Sequence, residues 1–287
     1  MAKINNVIIF LFFFATVIFP LEFKGKWKLI NADKSRVQKF KSGYIYILEG
    51  SVKIELNENY YYADKIIYNT QQEIINLLGE VKIESTDYLL SSSKADFIIS
   101  QNKIVFYKNV KINRDNFRSR SNRGIFFTEK SVIELFGNVY FEQNNYYGAS
   151  NYLKYDDKKN YANLTGDPYI GFDNGYIGGD DLNLFFNDDN NILELDVKKH
   201  GDIFWEKEDK ESLDLYGNYI NIKFGKKNEP NFALINGNVR GNMKNLDGKN
   251  WISGDRMEIN FIDGEISDVI IKGRVKGKYS KKEVQKN

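Results

Sequence analysis

The chain has no cysteine, so neither a disulfide framework nor a thiolate metal site can be built from it. With one histidine, His200, and no cysteine the usual zinc ligands are lacking, and no nucleophile-elbow motif marks a Ser-His-Asp triad. Only three prolines interrupt 287 residues. Neither sign of charge dominates: 41 basic and 39 acidic side chains leave a formal net charge of +2, which gives no electrostatic reason to bind nucleic acid. No cofactor is expected. What remains is an aromatic-rich composition, 15% Phe, Trp and Tyr, with Ile, Val, Tyr and Phe gathered in short runs, and that is the composition of strands.

Long apolar runs are equally scarce. The uninterrupted one is Val7 to Phe19, closed by Pro20 and preceded by Lys3. It suits a signal-peptide core better than a membrane span of roughly 20 residues. The small residues of a cleavage site are missing, because Val17, Phe19 and Leu21 occupy that region, so a retained anchor over residues 4–21 is the alternative. Either way export is expected. The sequence divides into residues 1–21 as signal or anchor, 22–40 as linker with a degenerate first repeat, 41–279 as a repetitive β region, and 280–287 as a basic tail.

The β region carries a beat. Glycine followed two residues later by Val recurs at Gly50, Gly79, Gly137, Gly237 and Gly273, with weaker copies at Lys108, Gly166 and Gly201. The steps 79−50, 108−79, 137−108 and 166−137 are each 29, followed by 35, 36 and 36. A fixed stride means one supersecondary unit stacked repeatedly. The longer later units carry polar inserts, Lys207 to Glu211 and Lys226 to Pro230, that read as turns.

Within a unit, apolar side chains fall two and four residues after the glycine and two and four before it. Period-two alternation puts Val52, Ile54, Leu77, Val81, Ile83, Phe106, Val110, Ile112, Leu135, Val139, Phe141, Ile170 and Trp205 on one face. A second strand follows at the same stride, as in Ala63-Asp64-Lys65-Ile66-Ile67-Tyr68, and Ala32-Asp33-Lys34 echoes its start. Two strands per unit give about sixteen in eight strand-pair repeats. No helical period appears between them.

The alternation of an A-D-x-x-x-Y strand with an L-x-G-x-V-x-I strand, as in Ala63 to Tyr68 and Leu78 to Ile83, resembles the OstA/LptA family of lipopolysaccharide-transport proteins over residues 41–279. The resemblance implies an all-β, repetitive antiparallel β-jellyroll, slightly open, with an apolar groove. It implies a periplasmic carrier or bridge without enzymatic activity, which holds the acyl chains of lipopolysaccharide or a related glycolipid and passes it toward the outer membrane. The thirteen inward side chains then become lipid contacts, and partner jellyrolls pair with the edge strands, Trp27 to Ser42 and Ile266 to Lys278, with end-to-end self-association as a further expectation. The alternative is an exported β-solenoid scaffold or adhesin, whose inward side chains simply seal a core. A polysaccharide-cleaving β-helix would need a column of acids at matching repeat positions, and the aligned copies contain none.

Two charged clusters stand apart from the beat. Lys111, Arg114, Arg118 and Arg120, in the basic stretch from Lys103 to Arg123, suit the phosphates of a lipid headgroup or else a solvated strand face. Asp180, Asp181, Asp188 and Asp189 lack the spacing of a calcium loop and read as turn chemistry.

Overall fold

The computed structural model describes residues 27–281 apart from short gaps at 57–58, 87, 115–116, 128, 144–145, 173–174, 188–191, 207–210, 226–229, 245–246 and 263–264. The expected signal or anchor, Asp188 and Asp189, most of both polar inserts and the end of the basic tail lie outside the described residues. Among those described, no helix is long and apolar enough to cross a membrane. The chain is an all-β jellyroll protein whose registered strand pairs are all antiparallel.

The contacts divide it into two units. Of the described residues, 27–143 and 151–159 make the first, and 146–150 and 160–281 the second. In the N-terminal unit lie β1 (Lys28–Asn31), β2 (Lys34–Phe40), β3 (Gly43–Leu56), β4 (Asn59–Asn69), β5 (Ile74–Glu84), β6 (Leu89–Ile98), β7 (Lys103–Arg114), β8 (Phe117–Phe127) and β9 (Val132–Gln143). The division falls within β10 (Tyr146–Asp156). The C-terminal unit continues with β11 (Tyr161–Thr165), β12 (Tyr169–Phe172), β13 (Gly175–Gly178), β14 (Asp181–Phe186), β15 (Ile192–Glu206), β16 (Ser212–Phe224), β17 (Pro230–Lys244), β18 (Gly248–Ile262), β19 (Glu265–Lys272) and β20 (Lys276–Lys281).

Eight of these twenty are halves of four bent strands: β1 with β2, β11 with β12, β13 with β14, and β19 with β20 pair with successive stretches of a common partner or partners. Twenty less four is sixteen, the number expected from eight strand pairs.

The glycine beat has a backbone cause. At each copy two consecutive residues take the left-handed conformation: Gly50-Ser51, Gly79-Glu80, Lys108-Asn109, Gly137-Asn138, Gly166-Asp167, Lys199-His200, Gly237-Asn238 and Gly273-Arg274. Between Glu49↔Lys65 and Val52↔Ala63 these two residues face the single Asp64, which defines a β-bulge, and the strand bends there. Copy six therefore sits on Lys199-His200, two residues before the Gly201 that the sequence pattern selects. The corrected steps are 199−166 = 33 and 237−199 = 38.

The bulge also explains the Asp of the alternate strand. A Cβ added to Gly79 would lie 2.1 Å from Asp64 Oδ2, and one on Gly50 would lie 2.1 Å from Asp33 Oδ2. Asn122 stands on Gly137, Asn218 on Gly237 and Asp255 on Gly273 in the same way. Where the copy has Lys108 instead of glycine, the matching residue is the smaller Ser93, reached by Asn109 Nδ2 at 3.3 Å. Lys199-His200 is tied instead through His200 Nδ1 to Asp180 Oδ2 at 3.0 Å, and Asp180 N–H donates to Lys199 O at 3.1 Å.

Bending lets the two halves of the strands face one another. Tyr61 and Phe97 meet edge to face with ring centroids 5.6 Å apart. The β6 residue directly in line with Tyr61 is Leu90, through Ile83, so on a flat sheet Phe97 would be roughly 23 Å farther along the strand. Folding over at the bulges brings them together around one apolar interior within the N-terminal unit.

Candidate functional site

Four transverse rows of inward side chains build that interior. One runs Tyr46, Tyr68, Ile75, Phe97, Ile104, Phe126, Ile133, and the next Leu48, Ile66, Leu77, Ala95, Phe106, Gly124, Leu135. Beyond the bulge come a row from Val52 through Ala63 and Ser92 to Ser121 and a row Ile54, Tyr61, Ile83, Leu90, Ile112, Ser119, Phe141. On the strands that carry the Asx residues the inward positions switch phase, Ala63 and Ile66 being separated by two residues and not one. Simple alternation misses that shift.

Of the thirteen side chains that the sequence assigns to lipid contact, twelve are buried, from Ile83 and Phe106 at 0% to Ile54 at 6% exposed. Trp205 is only partly buried. Ile170 and Trp205 belong to the C-terminal unit, and the other eleven share the N-terminal interior. Phe106 packs edge to face on Phe126 at 5.0 Å. Ser119 Oγ interrupts this surface, being buried with no hydrogen-bond partner among the described residues. Ser92 and Ser121 are satisfied by the carbonyls of Lys94 and Arg123 at 3.0 and 3.1 Å.

The interior reaches water at the edge of the unit. β1 and β2 pair only with β3 in the registered ladders, and all their residues are exposed. Leu29 continues the Ile54 row and Val37 the Tyr46 row, at 41% and 53% exposed. At the other end of the chain, β19 and β20 pair with β18 and leave Ile266, Val269, Ile270, Val275 and Tyr279 exposed. Each is an apolar strand edge that pairs with no further strand among the described residues, the geometry that accepts another strand.

The outer face has a row of its own. In the N-terminal unit Asn31, Lys53, Tyr62, Lys82, Ser91, Lys111, Arg120 and Tyr140 stand in line across eight strands. Lys111 and Arg120 are directly opposite one another and both exposed, an arrangement that is unfavourable for like charges without an anion between them. Arg120 lies over the Tyr140 ring at 4.8 Å, and Lys53 over Tyr60 at 4.2 Å. Of the other expected headgroup residues, Arg118 lies outward and pairs with Glu142 at 3.5 Å. Arg114 is at the end of β7, opposite Phe117. Lys82 hydrogen-bonds Glu84 at 3.2 Å and Tyr62 O–H donates to the same carboxylate at 3.0 Å, which together hold its pKa below the usual 4.5. Lys53, Lys82 and Lys111 repeat at the stride of 29, a signal the sequence carries, whereas Arg120 joins the row only through its register with Lys111.

Asp180 and Asp181, which the sequence reads as turn residues, are engaged with neighbours: Asp180 with His200, and Asp181 Oδ1 accepting from Asn163 and Asn183 at 2.8 and 2.9 Å. Among the described residues no three acids or histidines gather as metal ligands.

Comparison with known proteins adds a family. The model of one family, described as LptA/(LptD N-terminal domain) LPS transport protein, matches residues 29–160. A search among curated proteins found no match. Among solved structures the chain is similar to LptH from Pseudomonas aeruginosa, the LptA-homologous periplasmic component of the lipopolysaccharide transport device. That likeness has 12% identity and a TM-score of 0.36, and covers 40% of this chain and 85% of that one. Through residues 29–160, somewhat under half of its length, the chain is similar to the LptA and LptD N-terminal-domain family of lipopolysaccharide-transport proteins.

Proposed function

We propose that this chain is a periplasmic carrier or bridge that takes the acyl chains of lipopolysaccharide, or of a related glycolipid, into the apolar interior of its N-terminal jellyroll and passes them toward the outer membrane. The observation that carries the proposal is the set of inward rows that run from buried Ile83 and Phe106 out to exposed Leu29 and Val37 at the β1–β2 edge. An acyl chain drawn along such rows gains roughly 0.8 kcal/mol for each methylene removed from water. Nothing along them needs to react. Headgroup phosphates would meet Lys53, Lys82, Lys111 and Arg120 on the outer face, with charge-assisted hydrogen bonds. Partner jellyrolls would add strands at the two apolar edges and so continue the path.

A second reading, a sealed scaffold, is favoured by the near-complete burial of the same interior side chains. Mass spectrometry of lipids retained by the protein, purified after mixing with lipopolysaccharide-containing vesicles, separates the two. Stoichiometric glycolipid is expected of a carrier, and a lipid-free protein would support the scaffold.

A further inference from the structure

A cleft of about 510 Å³ opens on the outer face of the C-terminal unit, lined by Tyr147, Tyr169, Tyr176, Asp180, His200 and Asp202 among others. Its floor is made of small residues. Ala149, Tyr169, Gly178, Asp202 and Tyr216 form one transverse row, and Tyr147, Gly171, Tyr176 and Phe204 the adjacent one. A Cβ on Gly171 would lie 2.4 Å from Tyr147 Cζ, so that ring rests directly on the glycine backbone. Tyr147 and Tyr169 meet edge to face at 6.1 Å, and Tyr176 and Phe204 lie 5.8 Å apart.

The acids supply the other half of the chemistry. Tyr176 O–H donates to the Asp202 carboxylate, and partial burial raises the pKa of Asp202 above its usual 3.8 while that hydrogen bond opposes the rise. Asp180 accepts from His200 at 3.0 Å, and Asp167 completes the rim. Counted three residues beyond each left-handed pair's first member, the outward position is Lys53, Lys82, Lys111 and Tyr140 in the N-terminal unit, Tyr169 and Asp202 here, and Arg240 and Lys276 in the last two copies. The same structural position, cationic in five of the eight copies, is thus aromatic and acidic at the two copies that line the cleft.

We infer that the Tyr147–Tyr169–Tyr176 cleft binds a pyranose ring that carries no phosphate. The inference rests on the transport reading for where such a sugar would come from: the saccharide part of the glycolipid. Aromatic faces are electron-rich and receive the C–H face of a sugar, while carboxylates accept hydrogen bonds from its hydroxyls. A mostly apolar pocket with a few convergent polar groups is the usual form of a small-molecule site. Three carboxylates on the rim repel a phosphorylated sugar.

The test is saturation-transfer NMR on the full chain with methyl β-D-glucopyranoside, glucosamine and glucose 6-phosphate. The first two should receive saturation and be displaced by one another, with glucose 6-phosphate binding at least about tenfold more weakly, as one uncompensated like-charge contact requires. Tyr147→Ala should abolish transfer, and the milder Tyr176→Phe, which keeps the ring and removes the hydroxyl, should weaken it several-fold with the fold intact by circular dichroism. Absence of transfer to both unphosphorylated sugars, equal binding of the phosphate, or unchanged transfer in a folded Tyr147→Ala would overturn the inference. Lipid retention measured on the same samples reports separately on the carrier function, so either idea can fail alone.

Discussion

Replacing Gly79 by alanine should cost far more than a methyl group on a strand normally does. Two independent terms contribute. Gly79 has φ of +72°, where an L-residue is less stable by roughly 1–2 kcal/mol. Its new Cβ would fall 2.1 Å from Asp64 Oδ2, so Asp64 must move, and overpacking of this kind costs about 1–3 kcal/mol. The sum is about 2–5 kcal/mol. Copy three shows how the second term can be relieved, since there Lys108 faces Ser93. Adding Asp64→Ser to Gly79→Ala should therefore return the loss to about the backbone term, roughly 1–2 kcal/mol. Urea unfolding of the wild type, both single variants and the double variant, followed by far-ultraviolet circular dichroism, measures the coupling at constant m. A Gly79→Ala cost below about 0.5 kcal/mol, or strictly additive effects in the double variant, would refute the claim that the repeat glycine exists to seat the Asx side chain.

Other consequences are checked more briefly. Phe106→Ala removes a fully buried ring packed on Phe126 and should cost about 3–5 kcal/mol by the same unfolding assay, and a cost under about 1 kcal/mol would mean that the interior is loosely filled. The Glu84 carboxylate, held below its usual 4.5 first by Lys82 and then by Tyr62, contributes stability that is whole above that value and is lost as pH falls through the lowered native pKa. Glu84→Gln should accordingly lose less stability than the wild type between pH 5 and pH 3, roughly the range in which carboxylates titrate, and parallel curves would contradict the assignment. Asp202 has the opposite sign: its raised pKa lowers stability as pH rises through it. With no native cysteine to interfere, Tyr44→Cys with Val275→Cys should give end-to-end disulfide-linked oligomers if the exposed edges pair between copies, and monomer alone would argue against such pairing.

The stride, the two-strand unit and the inward set from Val52 to Phe141 were legible because alternation in a half-buried strand writes the core directly into the sequence. The sixth copy was not. Gly201 is a true glycine two residues past the bulge, and the left-handed pair is made by Lys199-His200, residues that carry no such signature. The phase switch between Ala63 and Ile66 was hidden for a related reason: one residue opposite two at a bulge breaks the period that a simple pattern assumes. The outer row was partly legible, since Lys53, Lys82 and Lys111 repeat at the stride of 29, but Tyr62 and Arg120 join it only through register across strands, a tertiary quantity. The aromatic and acidic cleft draws on four separate strands and was missed entirely.

Lys82 and Ile83 are adjacent in β5 and face opposite ways, Ile83 fully buried inside and Lys82 outside. Placing a photo-cross-linking amino acid at each in turn, and irradiating with radiolabelled lipopolysaccharide in vesicles, asks whether acyl chains enter the interior. Adducts that form at position 83 and resist removal of the sugars by mild acid, with those at position 82 confined to the headgroup side, are the expected result. Labelling at 82 with none at 83 in a folded protein would contradict the account.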